Sequence, residues 1–398
     1  MNFRRCRMMI VEPVERAHFD LDALLAGGSG VGFERSLQVR AAHLPTPRTV
    51  DAVSCLWLLQ CSAEQWQPLP AEPKARQRVL ALLEQGLLVS DDPVHAEAAA
   101  VEQQVRDSQW WPLSALHYQH SRWDGVDSVG DMERSQLMTA QDLVRSFGPP
   151  PAEAPVRRPG ARSLPRCDED PMQAQLQARA TCRNFDAARA MPLPMLARLL
   201  QQVLMAQAQV ETEPGVRFLK KNIPSAGSLH PVEAYVVARN VEGLPSGLYH
   251  YHATAHELGP MPVQPGDLDS FCQRLLAGQH WFANAPVQLI LACRFERMFW
   301  KYRGHAKAYR AMILDVGHIA QTLYLSATDL GLGAFVTSAI NEVDIEQALG
   351  LDGLQDGPLA ICGFGWRGEE MNNTELDPGG AVWPAGRDPE AAKDIGPH

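Results

Sequence analysis

Long apolar runs are missing from this sequence: the strongest, such as residues 287–293, stop far short of the roughly 20 residues a membrane-crossing helix needs. Arg4, Arg5 and Arg7 open the chain without an apolar segment behind them; Glu12, Glu15, Asp20 and Asp22 follow instead, so no export signal is expected. Positive charge is also short, with 36 Lys and Arg against 46 Asp and Glu and a formal charge of −10. Attraction to a phosphate backbone needs clustered cations, so nucleic acid is excluded as the main partner. The cysteines Cys6, Cys55, Cys61, Cys167, Cys182, Cys272, Cys293 and Cys362 form no C-x-x-C pair, which removes the common zinc and redox motifs. Reduced, half-buried thiols of a soluble cytoplasmic protein are expected. No dinucleotide fingerprint is present either: Gly27, Gly28, Gly30 and Gly32 follow a helix-like stretch, and Phe33 stands where the third glycine belongs. No carboxylate or cysteine completes a convincing ligand set with His250, His252 and His256, so no metal is expected.

What is present is a globular composition, 45% apolar and 21% charged over 398 residues, long enough for two or three domains. Prolines 149, 150, 151, 155, 159, 165 and 171 crowd together with Arg157, Arg158 and Arg162, a density that cannot continue a helix or a central strand. Residues 149–170 are therefore expected to link an N-terminal domain, 1–148, to a C-terminal domain, 171–398. Within the first, residues 49–92 read as helix, turn, helix, strand: Val53, Leu56, Trp57 and Leu59 begin one apolar face, and Val79, Leu82 and Leu83 another after Pro73. Gly86 stops that helix before Leu87-Leu88-Val89. This order resembles a small winged-helix module or the similar peptide-clasping module of peptide-modifying enzymes. Its acids outnumber its bases, which favours a peptide or protein partner over DNA.

Downstream, residues 234–239, 248–251, 287–295 and 359–364 are rich in apolar and β-branched side chains and predict strands. Helical periodicity runs over 193–208 and 312–330, the latter ending at Gly331 and Gly333. No regular βαβ alternation appears, so the fold class expected is α+β.

Three segments carry chemistry. In Arg179-Ala-Thr181-Cys-Arg183-Asn-Phe185, two cations and a hydroxyl alternate, so an extended chain presents them on one face to a dianion such as a phosphate. In Pro224-Ser225-Ala226-Gly227-Ser228-Leu-His230-Pro231, the near absence of bulk lets backbone N–H groups approach a flat ligand. In Phe299-Trp300-Lys301-Tyr302-Arg303, a lysine between aromatics can act as a base beside a tyrosine. Each alone also fits a bland surface or turn.

Taken in order, the Pro224 loop, Gly247-Leu-Tyr-His-Tyr251, Trp300-Lys-Tyr-Arg303, Asp315-Val-Gly-His-Ile-Ala-Gln321 and Leu330-Gly-Leu-Gly333 resemble the SagB-type branch of the FMN-dependent nitroreductase superfamily. His117-Tyr-Gln-His-Ser-Arg122 is similar to the segment preceding that region. The resemblance spans about residues 170–368. It implies a nitroreductase-like FMN-binding fold, with a central, mostly antiparallel sheet and long helices, behind the winged-helix-like N-terminal domain. It implies a homodimer with FMN at the subunit interface. Arg179, Thr181 and Arg183 would hold the FMN phosphate, with Arg367 a late partner, and Pro224, Ser225, Ala226 and Gly227 would lie along the ring system, joined by Ser338 and Ala339. Lys301 and Tyr302 match the Lys-Tyr pair required by the branch's azoline dehydrogenases, which turn thiazolines or oxazolines of a modified precursor peptide into azoles. A cyclodehydratase or another maturation enzyme is the implied partner, and oxygen the implied final acceptor. Two rivals are kept: an NAD(P)H-dependent reductase of small nitro compounds or quinones, and a flavin-free scaffold of a biosynthetic complex.

Overall fold

The computed structural model describes residues 1–152, 154, 157, 158, 160, 162–166, 168, 170–377 and 380–383. Cys167 and the prolines 155 and 159 of the expected linker lie outside the described residues, as do 384–398. Two units form: one of Met1–Arg122, Phe295–Tyr309 and Gly353–Gln355, the other of Trp123–Arg294, Arg310–Asp352 and Asp356–His398.

The second unit is organised by a six-stranded sheet in the order Glu257–Pro260, Gly247–His252, Val232–Ala238, Val287–Arg294, Asp356–Gly365, Gly333–Thr337, antiparallel at every pairing. The α+β class and the mostly antiparallel sheet are as expected. Val287–Arg294 is buried along its length up to Arg294, because both its faces are covered; this is why, apart from the buried Gln288, its sequence is apolar up to Cys293 and does not alternate. The tight packing needs glycine: a Cβ on Gly363 would fall 2.2 Å from the Phe335 ring. Phe335 in turn stacks on Phe282, at 4.1 Å between centroids, in a core shared with Ile290, Ile345 and Ile361.

The long helix is Ala308–Asp329, which buries Met312, Val316, Ile319, Ala320, Leu323 and Ala327 of the stripe its periodicity predicts but leaves Ile313, expected in that stripe, exposed. The other helix is shorter than expected. It covers Leu193–Val203, not 193–208, because Gln207 and Ala208 pair with Lys220 in a hairpin, Ala208–Glu213 with Val216–Lys220, turned at Gly215 with φ +79°. Among the described residues no helix is long and apolar enough to cross a membrane.

In the first unit, residues 49–92 fold in the expected order, but Val53, Leu56 and Leu59, expected on an apolar face, are exposed, and the first helix buries Cys55 and Leu58 instead. Asp51 caps Ala52–Gln60 by accepting the Ser54 N–H at 2.7 Å, and Glu72 caps Pro73–Glu84, where Pro73 sits in the first turn. Gly86, at φ +72°, ends that helix, and Leu88–Ser90 pairs antiparallel with Asn2–Arg5. Two strands were not foreseen, Met9–Phe19 and Val31–Ala41, paired from Met9 opposite Ala41 to Phe19 opposite Val31. Gly27, Gly28 and Gly30 lie in their connection, after a helix at Leu21–Leu25, while Gly32 falls in the second strand opposite His18. The seven described cysteines are free and buried, not half-buried, and burial pushes the Cys362 thiol up to about 12.

Candidate functional site

Residues 179–183 run extended beside the edge strand Gly333–Thr337: Thr181 bridges Ala334, and the Cys182 N–H donates to the Ala334 carbonyl at 2.8 Å. Gly333 permits this approach, since a Cβ there would meet the Cys182 side chain at 2.6 Å. Burial alternates along the segment: Ala180 and Cys182 are buried, while Arg179, Thr181 and Arg183 are half-buried. The three polar residues therefore share a face, as their spacing predicts. Tyr324, from the long helix, lies against that face. Its hydroxyl is 3.0 Å from Thr181 Oγ1, and its ring centroid is 5.2 Å from the Arg179 guanidinium. Burial raises the Tyr324 hydroxyl pKa and lowers that of Arg183, whose guanidinium stands 5.8 Å from the Phe282 ring.

The loop at 224–230 is held from below by a buried carboxylate. Asp315, 3% exposed, accepts the Ser225 hydroxyl at 2.5 Å and the Ala226 N–H, and Ser225 Oγ accepts the His230 N–H at 3.0 Å. Three left-handed residues lie within this turn, Gly227 at φ +62°, Ser228 at +55° and His230 at +45°. The two that carry side chains are in a sparsely populated region, and such strain persists only where the surroundings over-determine it. Burial raises the Asp315 pKa, opposed by the bond from Ser225.

Arg367 points into protein: Nη1 pairs with Glu375, and Nη2 donates to the Ala180 carbonyl at 2.8 Å. Ser338 is exposed past the end of the edge strand, and Ala339 is fixed by Gln279, which donates to its carbonyl at 2.6 Å, and by Thr337 Oγ1, which accepts its N–H at 3.2 Å.

Lys301 and Tyr302 belong to the first unit, just after the helix Phe295–Phe299. That helix is seated in an aromatic cluster: Trp110 packs 4.8 Å from Phe295 and 4.7 Å from Phe299, and donates its indole N–H to the Leu354 carbonyl at 2.9 Å. The Tyr302 N–H donates to the Met298 carbonyl at 3.1 Å, and Lys301, exposed, holds its Nζ 5.5 Å from the Tyr302 ring centroid. Trp300 and Arg303 line a cleft of about 700 Å³ with Gln103, Gln109 and Glu296.

The structure thus brings Arg179, Thr181 and Arg183 onto one face and closes the Pro224 loop into one braced turn. Three contributors were not singled out from the sequence. Asp315 sits in the Asp315–Gln321 motif, where nothing local marks its side chain as a brace for a loop 90 positions away; Tyr324 and Glu375 sit in no motif. His250 and His256 have separate partners, Glu233 at 3.5 Å and the Tyr251 hydroxyl at 2.7 Å.

A family model, that of the nitroreductase family, matches residues 176–366. The protein MJ1384 of Methanocaldococcus jannaschii, named as a nitroreductase, is 32% identical over 204 residues, which cover 51% of this chain and 94% of that protein. The trifolitoxin-processing protein TfxB of Rhizobium leguminosarum bv. trifolii is 35% identical over 141 residues, 34% of this chain and 36% of TfxB. The microcin B17-processing protein McbC of Escherichia coli is 26% identical over 165 residues, 41% of this chain and 59% of McbC. The aligned part spans less than two thirds of either processing protein.

Proposed function

Because this chain belongs to the nitroreductase family, a family of oxidoreductases that generally bind FMN, we propose that it is an FMN-dependent dehydrogenase. Its substrate in this reading is a ribosomally made precursor peptide, whose thiazoline or oxazoline rings it oxidises to azoles. The observation that carries the cofactor reading is the shared face of Arg179, Thr181 and Arg183. Two guanidinium groups and a hydroxyl, backed by Tyr324, match the charge and donor needs of a phosphate monoester. A turn of small residues whose backbone is braced by Asp315 suits the edge of a flat ring system. The residues present therefore fit FMN. The peptide reading is supported by likeness to two proteins named for processing trifolitoxin and microcin B17.

Aromatising an azoline removes a proton from one ring carbon and a hydride from its neighbour. FMN, when bound, supplies the hydride acceptor. Lys301, or Tyr302 tuned by it, takes the proton, and the aromatic seating of Phe295–Phe299 fixes the backbone that carries the pair. Arg179, Thr181 and Arg183 bind the phosphate, and the Asp315-braced loop keeps its N–H groups oriented before any ligand arrives. In this reading the protein works as a homodimer in the cytoplasm, beside a cyclodehydratase that makes the azoline, and the N-terminal region holds the peptide in a winged-helix-like module.

An absorbance spectrum tests the cofactor. Bands at roughly 370 and 450 nm are expected after reconstitution with FMN, and their absence would remove the flavin reading. Incubation with an azoline-bearing peptide should then remove two hydrogens per ring by mass spectrometry. A second reading, an NAD(P)H-dependent reductase of nitro compounds or quinones, is favoured by the nearly full-length match to MJ1384. Rapid bleaching of bound flavin by NAD(P)H without any mass change in the peptide would select it.

A further inference from the structure

Behind the Arg179–Arg183 segment lies a carboxylate to which neither the motifs nor the proposed reaction give a part. The side chain of Glu375 is fully buried. Oε1 accepts the N–H of Arg183 at 2.5 Å, the N–H of Asn184 at 3.0 Å and the Asn184 side-chain amide at 2.9 Å. Oε2 pairs with Arg367 and accepts the Trp383 indole N–H at 2.9 Å. Such an anion is costly to bury, and five donors are what make it tolerable. Around it, residues 367–376 strap across the segment. Asn184 Oδ1 accepts the N–H groups of Asn372 at 2.9 Å and Asn373 at 2.7 Å, the Gly368 N–H donates to the Asn184 carbonyl at 2.7 Å, and Arg183 Nη1 donates to the Thr374 carbonyl at 3.3 Å.

The consequence concerns geometry more than charge. Two consecutive N–H groups converging on one oxygen set the direction in which the peptide plane between Arg183 and Asn184 faces, and with it the face that Arg183 presents. Arg367, paired to Oε2, reaches forward to the Ala180 carbonyl, so the same carboxylate steadies both ends of the stretch between Arg179 and Arg183. We propose that Glu375 is a positioning residue for a phosphate-bearing ligand: it shapes the Arg179, Thr181 and Arg183 face from behind, without touching the ligand. Arg367 is then a strut of this device and not a phosphate partner. The inference rests on the FMN reading above.

The test compares FMN with riboflavin, which lacks the phosphate, by fluorescence titration of the full chain and its variants. The wild type should prefer FMN. Glu375→Ala should reduce that preference about tenfold or more, the loss expected when charge-assisted bonds to a phosphate are misaligned, while riboflavin affinity stays within about twofold. Glu375→Gln should fall between, because its amide oxygen still accepts the strand N–H groups while its NH₂ confronts Arg367. Trp383→Phe should change the preference least. An unchanged FMN preference in folded Glu375→Ala overturns the positioning role and leaves the flavin reading intact. A wild type that binds neither flavin removes the flavin reading and the positioning role with it. Should Glu375→Ala fail to fold by circular dichroism, Asn184→Ala carries the test: it removes one donor to Oε1 and the acceptor for Asn372 and Asn373, and must lower the FMN preference for the proposal to stand.

Discussion

Arg183, Asn184 and Ser225 in the second unit are each tied to a buried carboxylate far away in sequence, whereas Lys301 in the first unit is an exposed side chain on a short segment anchored by aromatic packing. A cofactor face gains from being rigid before the ligand arrives, since ordering it afterwards would be charged against affinity. A base that must meet a carbon on a separate, large substrate gains from reach. The difference teaches that the two halves of the proposed chemistry are separable, and mutations should separate them.

The largest effect is expected from Lys301→Ala. Loss of a general base costs turnover about 100-fold or more, while FMN affinity should stay within roughly twofold, because none of the groups around Arg179 or Ser225 is disturbed. Mass spectrometry of the peptide beside a flavin titration checks both halves. Retained turnover would take Lys301 out of the mechanism, and lost flavin would erase the contrast between the regions.

Next in size is a pH effect in the second unit. Lys221, 4% exposed and just ahead of the Pro224 loop, has its pKa pushed down to about 8 by burial and by nearby Arg294, with Glu233 opposing. A folded pKa below the unfolded one means that the group's contribution to stability is complete only above the unfolded value, near 10.4, and is lost as pH falls toward 8. Stability should therefore rise by about 3 kcal/mol from this group across that window, and Lys221→Met should flatten the slope. Chemical denaturation at pH 8, 9 and 10 (roughly the window this linkage sets) reads it. An unaltered slope in the variant would mean that the buried charge is better compensated than its surroundings indicate.

Smaller again, Arg179→Ala should weaken FMN about tenfold and leave the melting temperature nearly unchanged, because its ring contact with Tyr324 is the smaller part of its role. A large drop in melting with little change in FMN affinity would turn the pair into a structural contact.

How much of this was legible in the sequence depends on how local each signal is. The strands at Val232–Ala238 and Val287–Arg294 were readable because buried strands must be apolar, and the alternation of Arg179, Thr181 and Arg183 because strand geometry has period two. The loop at 224–227 was readable as a turn of small residues, but not its brace, since Asp315 is 90 positions from Ser225. Glu375 left no trace: it meets Arg183 across 192 positions, and a lone glutamate after Asn372, Asn373 and Thr374 looks like any polar stretch. The strands Met9–Phe19 and Val31–Ala41 were missed for the opposite reason. Met9–Phe19 is largely exposed and interrupted by Pro13, and in Val31–Ala41 only the end alternates, with Leu37, Val39 and Ala41 packed into the core after the exposed Phe33, Glu34 and Arg35, too short a signal to mark a strand of eleven residues.

The exposed end of that hairpin supplies the smallest effect and the sharpest control on the contrast between the two units. Arg35 Nε sits 2.5 Å from Glu15 Oε1 across the two strands, as close as the buried Arg106–Glu102 pair at 2.6 Å, but with side chains 81% and 54% exposed. Distance alone would rank it beside the Glu375 network. Solvent reverses that ranking: at high exposure the attraction is screened, and ordering two long side chains cancels most of what remains, so the pair is worth about 0.5 kcal/mol or less. Arg35→Ala should accordingly leave the unfolding free energy within about 0.5 kcal/mol of wild type, and FMN affinity unchanged. A roughly tenfold loss of FMN preference, the effect expected of Glu375→Ala, would show that close polar geometry matters regardless of burial. The division drawn between the buried supports of the second unit and the open groups of the first would then no longer hold.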